Sequence, residues 1–264
     1  VFTGELHRIP APSHDRQHPP KDPPKAGAAP SDCGEAMVSV PGGSYVMGKK
    51  EGEVTVKPFC LDVTEVTVKA YADCVSSNDC SEPDPVKDEG FDKACNWKRS
   101  GANQHPVNCV DWNQAVSFCA SKGKRLPSEE EWEWAARGGD AARKYPWGNE
   151  APGAERVNAC GAECVRWAKE NLGKDWKALH EGDDGWPITA PVGQFPKGAN
   201  RWGVQDLSGN VWEWTSSKIS AEDPDRVLRG GGWDNDVASR LSASKRPGIA
   251  PSNRNDILGF RCAR

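Results

Sequence analysis

Short alternations of apolar and polar positions open the patterned part of the chain. MVSVPGGSYVMG reads as two short strands around a Pro-Gly-Gly turn, and VTVKPFCLDVTEVT as a further extended stretch. From Thr67 the period lengthens: Val68, Tyr71, Ala72 and Val75 share one face of VKAYADCV, the spacing of an amphipathic helix. Residues 76–108 are rich in turn formers and carry cysteines, the pattern of a stapled loop. Two helices then announce their own ends. Asp111 caps WNQAVSFCASKG, which Gly123 stops. Ser128 starts SEEEWEWAARGG with Glu131 three residues on, a capping box, and Gly138 and Gly139 end it. Beyond Gly139 the chain is mostly Gly, Pro, Asn, Asp and Trp, which predicts short extended pieces. No internal repeat, Rossmann fingerprint, P-loop or nucleophile elbow is present.

Residues 1–32 offer little to bury. HPPKDPPKAGAAPSD predicts a Pro-rich tether, in which His7, His14 and His18 are solvated linker residues rather than metal ligands. The folded domain is expected over 33–264.

Composition narrows the class. The chain has 264 residues, enough for one substantial core, and a mean hydropathy of -0.73. It contains no apolar run near the roughly 18 residues that span a bilayer, and no apolar stretch of signal-peptide kind in its first thirty. A net charge of -4 without a dense Lys/Arg cluster argues against a nucleic-acid partner. The 10 cysteines admit two readings, disulfides or zinc, and the lack of any CxxC favours disulfides. His105 and His180 stand in no ligand-like spacing with them. Disulfides in turn imply an oxidising compartment: periplasm, cell surface or medium.

Several blocks occur in a telling order: FCLDVTEVTVKAYADC, GKRLPSEEEWEWAARGG, YPWGN, DLSGNVWEW, VLRGGGWDN and LGFRCAR. Together they resemble the formylglycine-generating enzymes, the sulfatase-modifying-factor family, from about residue 35 to the end. The resemblance implies an α+β fold with little regular secondary structure, distantly similar to C-type lectins. It also implies a chemistry: enzymes of the family oxidise a sulfatase cysteine to formylglycine with a copper-binding cysteine pair, and a soft monovalent metal needs thiolates. That pair follows the RGG motif. Here no cysteine lies between Cys164 and Cys262, and the two positions, counted from Arg229, fall at Asn235 and Arg240. Gly232 stands where a serine is usual, and Ile257 where an asparagine is. Copper binding is therefore not expected. Asp234, Asn235, Asp236 and Arg240, with Lys245 and Arg246, are expected to line the former active-site cleft.

The resemblance further implies two structural Ca²⁺ sites of oxygen ligands. The first takes Asn158 and Asp184 by side chain with Ala159 and Trp186 by carbonyl; the second takes Asp206 and Glu213 by side chain with Gly209 and Val211 by carbonyl. The plainer alternative makes these solvated or capping residues, with Arg229 as the ionic partner of Glu213. The resemblance implies one bridge, Cys119–Cys262. Locality favours Cys74–Cys80, Cys95–Cys109 and Cys160–Cys164, which leaves Cys33–Cys60; a free, reactive Cys160 and Cys164 is the rival arrangement.

Three functions follow. The first is a non-catalytic pseudoenzyme, a secreted or cell-envelope binding or scaffold protein with a peptide, protein or glycan ligand. The second is an enzyme of the same family with altered oxidase or accessory-factor chemistry. The third, a true formylglycine-generating enzyme, is disfavoured by the missing thiolates.

Overall fold

In a computed structural model, residue 30 and residues 32–48, 52–84 and 91–264 are described; the expected leader therefore lies almost wholly outside the described residues. The two strands of MVSVPGGSYVMG form as β1 (Met37–Val40) and β2 (Gly43–Val46). They do not pair with each other. β1 pairs with β4 (Phe59–Asp62) and β2 with β3 (Glu53–Val56), both antiparallel. The turn between them is packed from outside: a Cβ on Gly43 would lie 2.5 Å from the Trp134 ring, and one on Gly42 would meet the Val56 carbonyl. Close approach by distant side chains, rather than a hairpin, explains these glycines.

Helix α1 (Val68–Ser76) is capped by Thr67 Oγ1, which accepts from Ala70 N, and buries Val68, Tyr71 and Cys74. Helices α2 (Trp112–Ser121) and α3 (Glu129–Ala136) start at Asp111 and Ser128, each with a full capping box. Gly123, Gly138 and Gly139 all have left-handed φ after the helix ends. The second half contains one helix beyond the expectation of short extended pieces: α4 (Ala162–Leu172), closed by Gly173 at φ +67. Its signal was present in the apolar spacing Cys164, Trp167 and Ala168 and in Gly173 as a stop, but the surrounding Gly and Pro masked it.

The largest sheet is assembled from the end of the chain, in the order β7 (Gly248–Ile249), β6 (Arg226–Arg229), β5 (Trp212–Lys218), β8 (Leu258–Gly259). β5 and β8 run parallel, with Trp212 opposite Leu258. The core lies on both sides of β5. Tyr71, Phe118 and Phe260 pack from one side, Tyr71 stacked on Phe118 and both edge-on to Phe260, with ring centroids 5.4–6.4 Å apart. Trp132, Leu61 and Leu207 fill the other.

Buried ion pairs tie α3 to the sheet. Arg229 is fully buried and donates to Glu133 Oε2 at 2.9 Å and Glu129 Oε2 at 3.0 Å. Arg246 donates to the same Glu129 and to the carbonyls of Lys218 and Ile219. Arg229 is thus committed to α3 and is not the partner of Glu213. Arg246 belongs to this cluster and not to the cleft where it was expected.

All ten cysteines are paired: Cys33–Cys60, Cys74–Cys80, Cys95–Cys109, Cys119–Cys262 and Cys160–Cys164. The rival free pair at Cys160 and Cys164 is not what forms. Among the described residues no helix is long and apolar enough to cross a membrane.

Candidate functional site

Three polar clusters interrupt the apolar packing, and the loop DLSGNVWEW leads into the first. Asp206 adopts φ +57, and its Oδ2 accepts from Gly193 N at 2.6 Å. Glu213 is fully buried. Its carboxylate receives Arg261 Nε at 2.8 Å and Nη2 at 2.7 Å, and Trp132 Nε1 at 2.8 Å. Beside them Glu65 is 2 % exposed, and neither of its carboxylate oxygens has a hydrogen-bond partner. Burial first, and then the Asp206 charge, push the Glu65 carboxyl well above the carboxylate range. Asp206 is raised too, again mainly by burial.

The second cluster joins two loops. Gly209 has φ +80, and a Cβ there would lie 2.2 Å from the Asn158 carbonyl oxygen, so only glycine lets these loops meet. Asn158 donates through Nδ2 to Ile188 O at 3.0 Å and Asn210 Oδ1 at 3.1 Å, while its Oδ1 is buried without a partner. Asp184 accepts from Trp186 N at 2.9 Å and Ala159 N at 3.3 Å, and burial pushes its carboxyl up to about 7. His105 packs edge-on to Trp186, centroids 5.5 Å apart, and Thr189 Oγ1 lies 3.1 Å from its Nδ1. Burial holds this imidazole down to about 4, so it is neutral at physiological pH.

The third feature is an open cleft of about 450 Å³ lined by Asp175, Trp176, Lys177, Asp234, Asp236 and Arg240. Three of the six expected positions line it: Asp234, Asp236 and Arg240. Asn235 does not: it is 1 % exposed and lies beneath the surface. Its Oδ1 accepts from Gly232 N at 3.2 Å, its Nδ2 donates to Asp234 Oδ1 at 2.7 Å, and its carbonyl accepts from Cys160 N. Lys245 is likewise outside the lining. The Cys160–Cys164 bridge, Trp167, Trp176 and Trp233 belong to one apolar cluster, which reaches the cleft through Trp176. Trp176, from the loop after α4, lies with its ring centroid 5.8 Å from that of Trp233.

The model of the sulfatase-modifying factor enzyme 1-like domain matches residues 23–264. The chain belongs to that family. It is 37% identical over 276 residues to the Bos taurus protein named inactive C-alpha-formylglycine-generating enzyme 2, covering 86% of this chain and 87% of that protein. It is 31% identical to the formylglycine-generating enzyme of Streptomyces coelicolor, over 86% of this chain and 88% of that one. Among solved structures it is similar to PvdO from Pseudomonas aeruginosa, with a TM-score of 0.67, 27% identity, and coverage of 91% and 98% of the two chains. CarF shares the fold at TM-score 0.58 and 20% identity over 86% of this chain and 97% of that one.

At the two positions after RGG singled out by the family resemblance stand an amide locked in beneath the cleft, Asn235, and a half-exposed guanidinium, Arg240, neither a soft metal ligand. The calcium set Asn158, Ala159, Asp184 and Trp186 offers the oxygens a hard cation takes: the Asn158 amide oxygen is buried without a partner, and the Asp184 carboxyl, which accepts from Ala159 N, is desolvated. The set around Glu213 fits less directly. Both Glu213 oxygens are already neutralised by Arg261, and the oxygens left without partners there belong to Glu65. Glu65, Arg261 and Trp176 were missed in the sequence. Glu65 and Arg261 lie 196 positions apart in the chain, and only folding brings their partners together. Trp176 lies in a stretch with no pattern of its own.

Proposed function

We propose that this chain is a non-catalytic member of its family, a ligand-binding or scaffold domain working outside the cytoplasm. One observation carries the reading: Asn235, where the family resemblance puts the first catalytic cysteine, is buried and hydrogen-bonded beneath an open, charged cleft. An amide in that setting is a structural support for the cleft wall. It is neither a nucleophile nor a soft metal ligand. The relatives named inactive are in keeping with this reading. Five disulfides favour an oxidising compartment.

Calcium is proposed as a structural ion held by Asn158 and Asp184 with the carbonyls of Ala159 and Trp186. It would neutralise a buried carboxylate and tie the Asn158 loop to the Asp184 loop.

The catalytic question has a direct test. The purified chain, supplied with copper and oxygen, is incubated with a cysteine-containing sulfatase peptide, and the peptide mass is followed. No formylglycine is expected, and turnover overturns the reading.

A further inference from the structure

The chain doubles back just after α3, and the turn gathers positive charge. Gly138, Gly139 and Ala142 all take left-handed φ, +67, +72 and +50. Ala142 has a Cβ, so that conformation is strained there. The turn returns Arg143 N to the Arg137 carbonyl at 3.1 Å. Arg201 arrives from a distant loop. A Cβ on Gly138 would lie 3.3 Å from Arg143 Cδ and 3.4 Å from Arg201 Cδ, so the two side chains flank one glycine. Neutral groups hold these cations. Arg143 Nη1 donates to the Pro146 carbonyl and Arg201 Nη1 to the Gly138 carbonyl, both at 3.2 Å. Arg201 Cζ lies 5.4 Å from the Trp202 ring centroid, and Lys144 Nζ 5.1 Å from that of Tyr145. A carbonyl or a ring orients a cation without cancelling its charge.

Acids do little to balance the group. Arg137 is paired with Glu133. Among the described residues Arg143 and Lys144 have no carboxylate partner. Arg201 reaches Asp140 only at 3.9 Å, and Asp140 is exposed. Glu150 lies against Gly148 and pairs with none of them. Gathering three like charges costs stability, and a bound anion relieves that cost. We infer that this turn is a binding surface for a sulfated polysaccharide, its sulfate groups held by Arg143 and Arg201 with Lys144 beside them. Nη2 of each arginine has no protein partner among the described residues, and a planar guanidinium presents its N–H groups in the fork that suits an oxyanion. Side chains already held in place lose little freedom on binding. The five disulfides favour an oxidising compartment, where sulfated polysaccharide rather than nucleic acid is the polyanion at hand. The residues that line the cleft take no part, so the surface is the same whether or not the chain is catalytic.

Calorimetric titration of the whole chain with a heparin octasaccharide tests this, at ionic strengths from about 0.05 to 0.5 M. Binding is expected at low salt and is expected to weaken steeply as salt rises. Arg143→Gln combined with Arg201→Gln is expected to weaken it about tenfold or more. Removing the same charge elsewhere, by Lys69→Gln with Lys177→Gln, is expected to change it by less than about twofold. Thermal melting checks that each variant folds. Lys144→Gln, at an exposed residue, is expected to weaken binding several-fold and serves if the double arginine variant does not fold. The absence of binding at the lowest salt overturns the inference. So does equal binding of the desulfated octasaccharide, or an equal loss in the two double variants. Binding of oligothymidylate or of phosphatidylserine vesicles as tight as that of the octasaccharide also overturns it. None of these outcomes touches the non-catalytic reading, which falls only if the copper assay turns over.

Discussion

Arg261 and Glu213 form a fully buried, bidentate ion pair, with Nε to Oε2 at 2.8 Å and Nη2 to Oε1 at 2.7 Å. The same guanidinium donates to the carbonyls of Asp62, Val63 and Gln205. It therefore bolts the terminal GFRC segment to β4, to the Asp206 loop and to β5. Its satisfied geometry is what makes two buried charges tolerable.

Breaking this pair from one side strands a charge in the core. Arg261→Met is expected to destabilise the chain by about 3–5 kcal/mol, because Glu213 keeps only the Trp132 indole as a partner. Glu213→Gln leaves Arg261 with only the more distant Glu65 and Asp206 as acidic neighbours, and is expected to destabilise as well, by less than Arg261→Met. Chemical denaturation of both variants, read by tryptophan fluorescence, measures this. Losses below about 1 kcal/mol would show that the pair is not a structural bolt.

Every cysteine is paired in the structure, so Ellman titration of denatured, unreduced protein is expected to find no free thiol. The bridge Cys119–Cys262 spans 143 residues and fastens α2 to the last strand segment. Replacing both with alanine is expected to cost up to about 5 kcal/mol in the chain-entropy account. A melting temperature unchanged by that replacement would contradict it.

Asp256 gives the stability a pH dependence. It is 1 % exposed with Oδ2 unpartnered, and burial, then Asp234, push its carboxyl up to about 8. A carboxyl raised in the folded state contributes stability that is complete below its unfolded value, about 3.9, and that is lost as pH climbs through about 8. The chain should melt at a higher temperature at pH 5 than at pH 8.5. Asp256→Asn is expected to flatten that slope, gaining on the order of 1 kcal/mol at the alkaline end. Thermal melting across the range checks both, and a slope unaltered by the variant assigns the dependence elsewhere.

Calcium at the Asn158–Asp184 loops is expected to show as a lower melting temperature in EDTA, restored by added Ca²⁺. At 100 times its dissociation constant the ion would contribute about 2.7 kcal/mol. Asp184→Asn should abolish most of that response, and Glu213→Gln should not, because Arg261 already neutralises Glu213. Elemental analysis finding no calcium, with a melting curve indifferent to chelation, sinks the assignment.

Local chemistry decided much of what was legible in the sequence. The caps Asp111 and Ser128, the glycine stops and the family blocks each depend on residues a few positions apart, where propensity and hydrogen bonding act directly. The absence of cysteine between 164 and 262 is likewise a sequence fact, and the functional reading starts from it. Tertiary structure alone decided the pairings. β1 and β2 look like a hairpin but join different partners, because Trp134, a residue of α3, packs against Gly43. Glu213 needed a buried cation, and the nearby Arg229 was the natural candidate; the fold gave it Arg261 and gave Arg229 to α3. Asn235 was expected to line the cleft and lies beneath it, while Trp176, which no pattern singled out, is its wall. A charge in a low-dielectric interior is set by whichever opposite charge the packing brings within hydrogen-bond reach, and sequence separation carries no information about that distance.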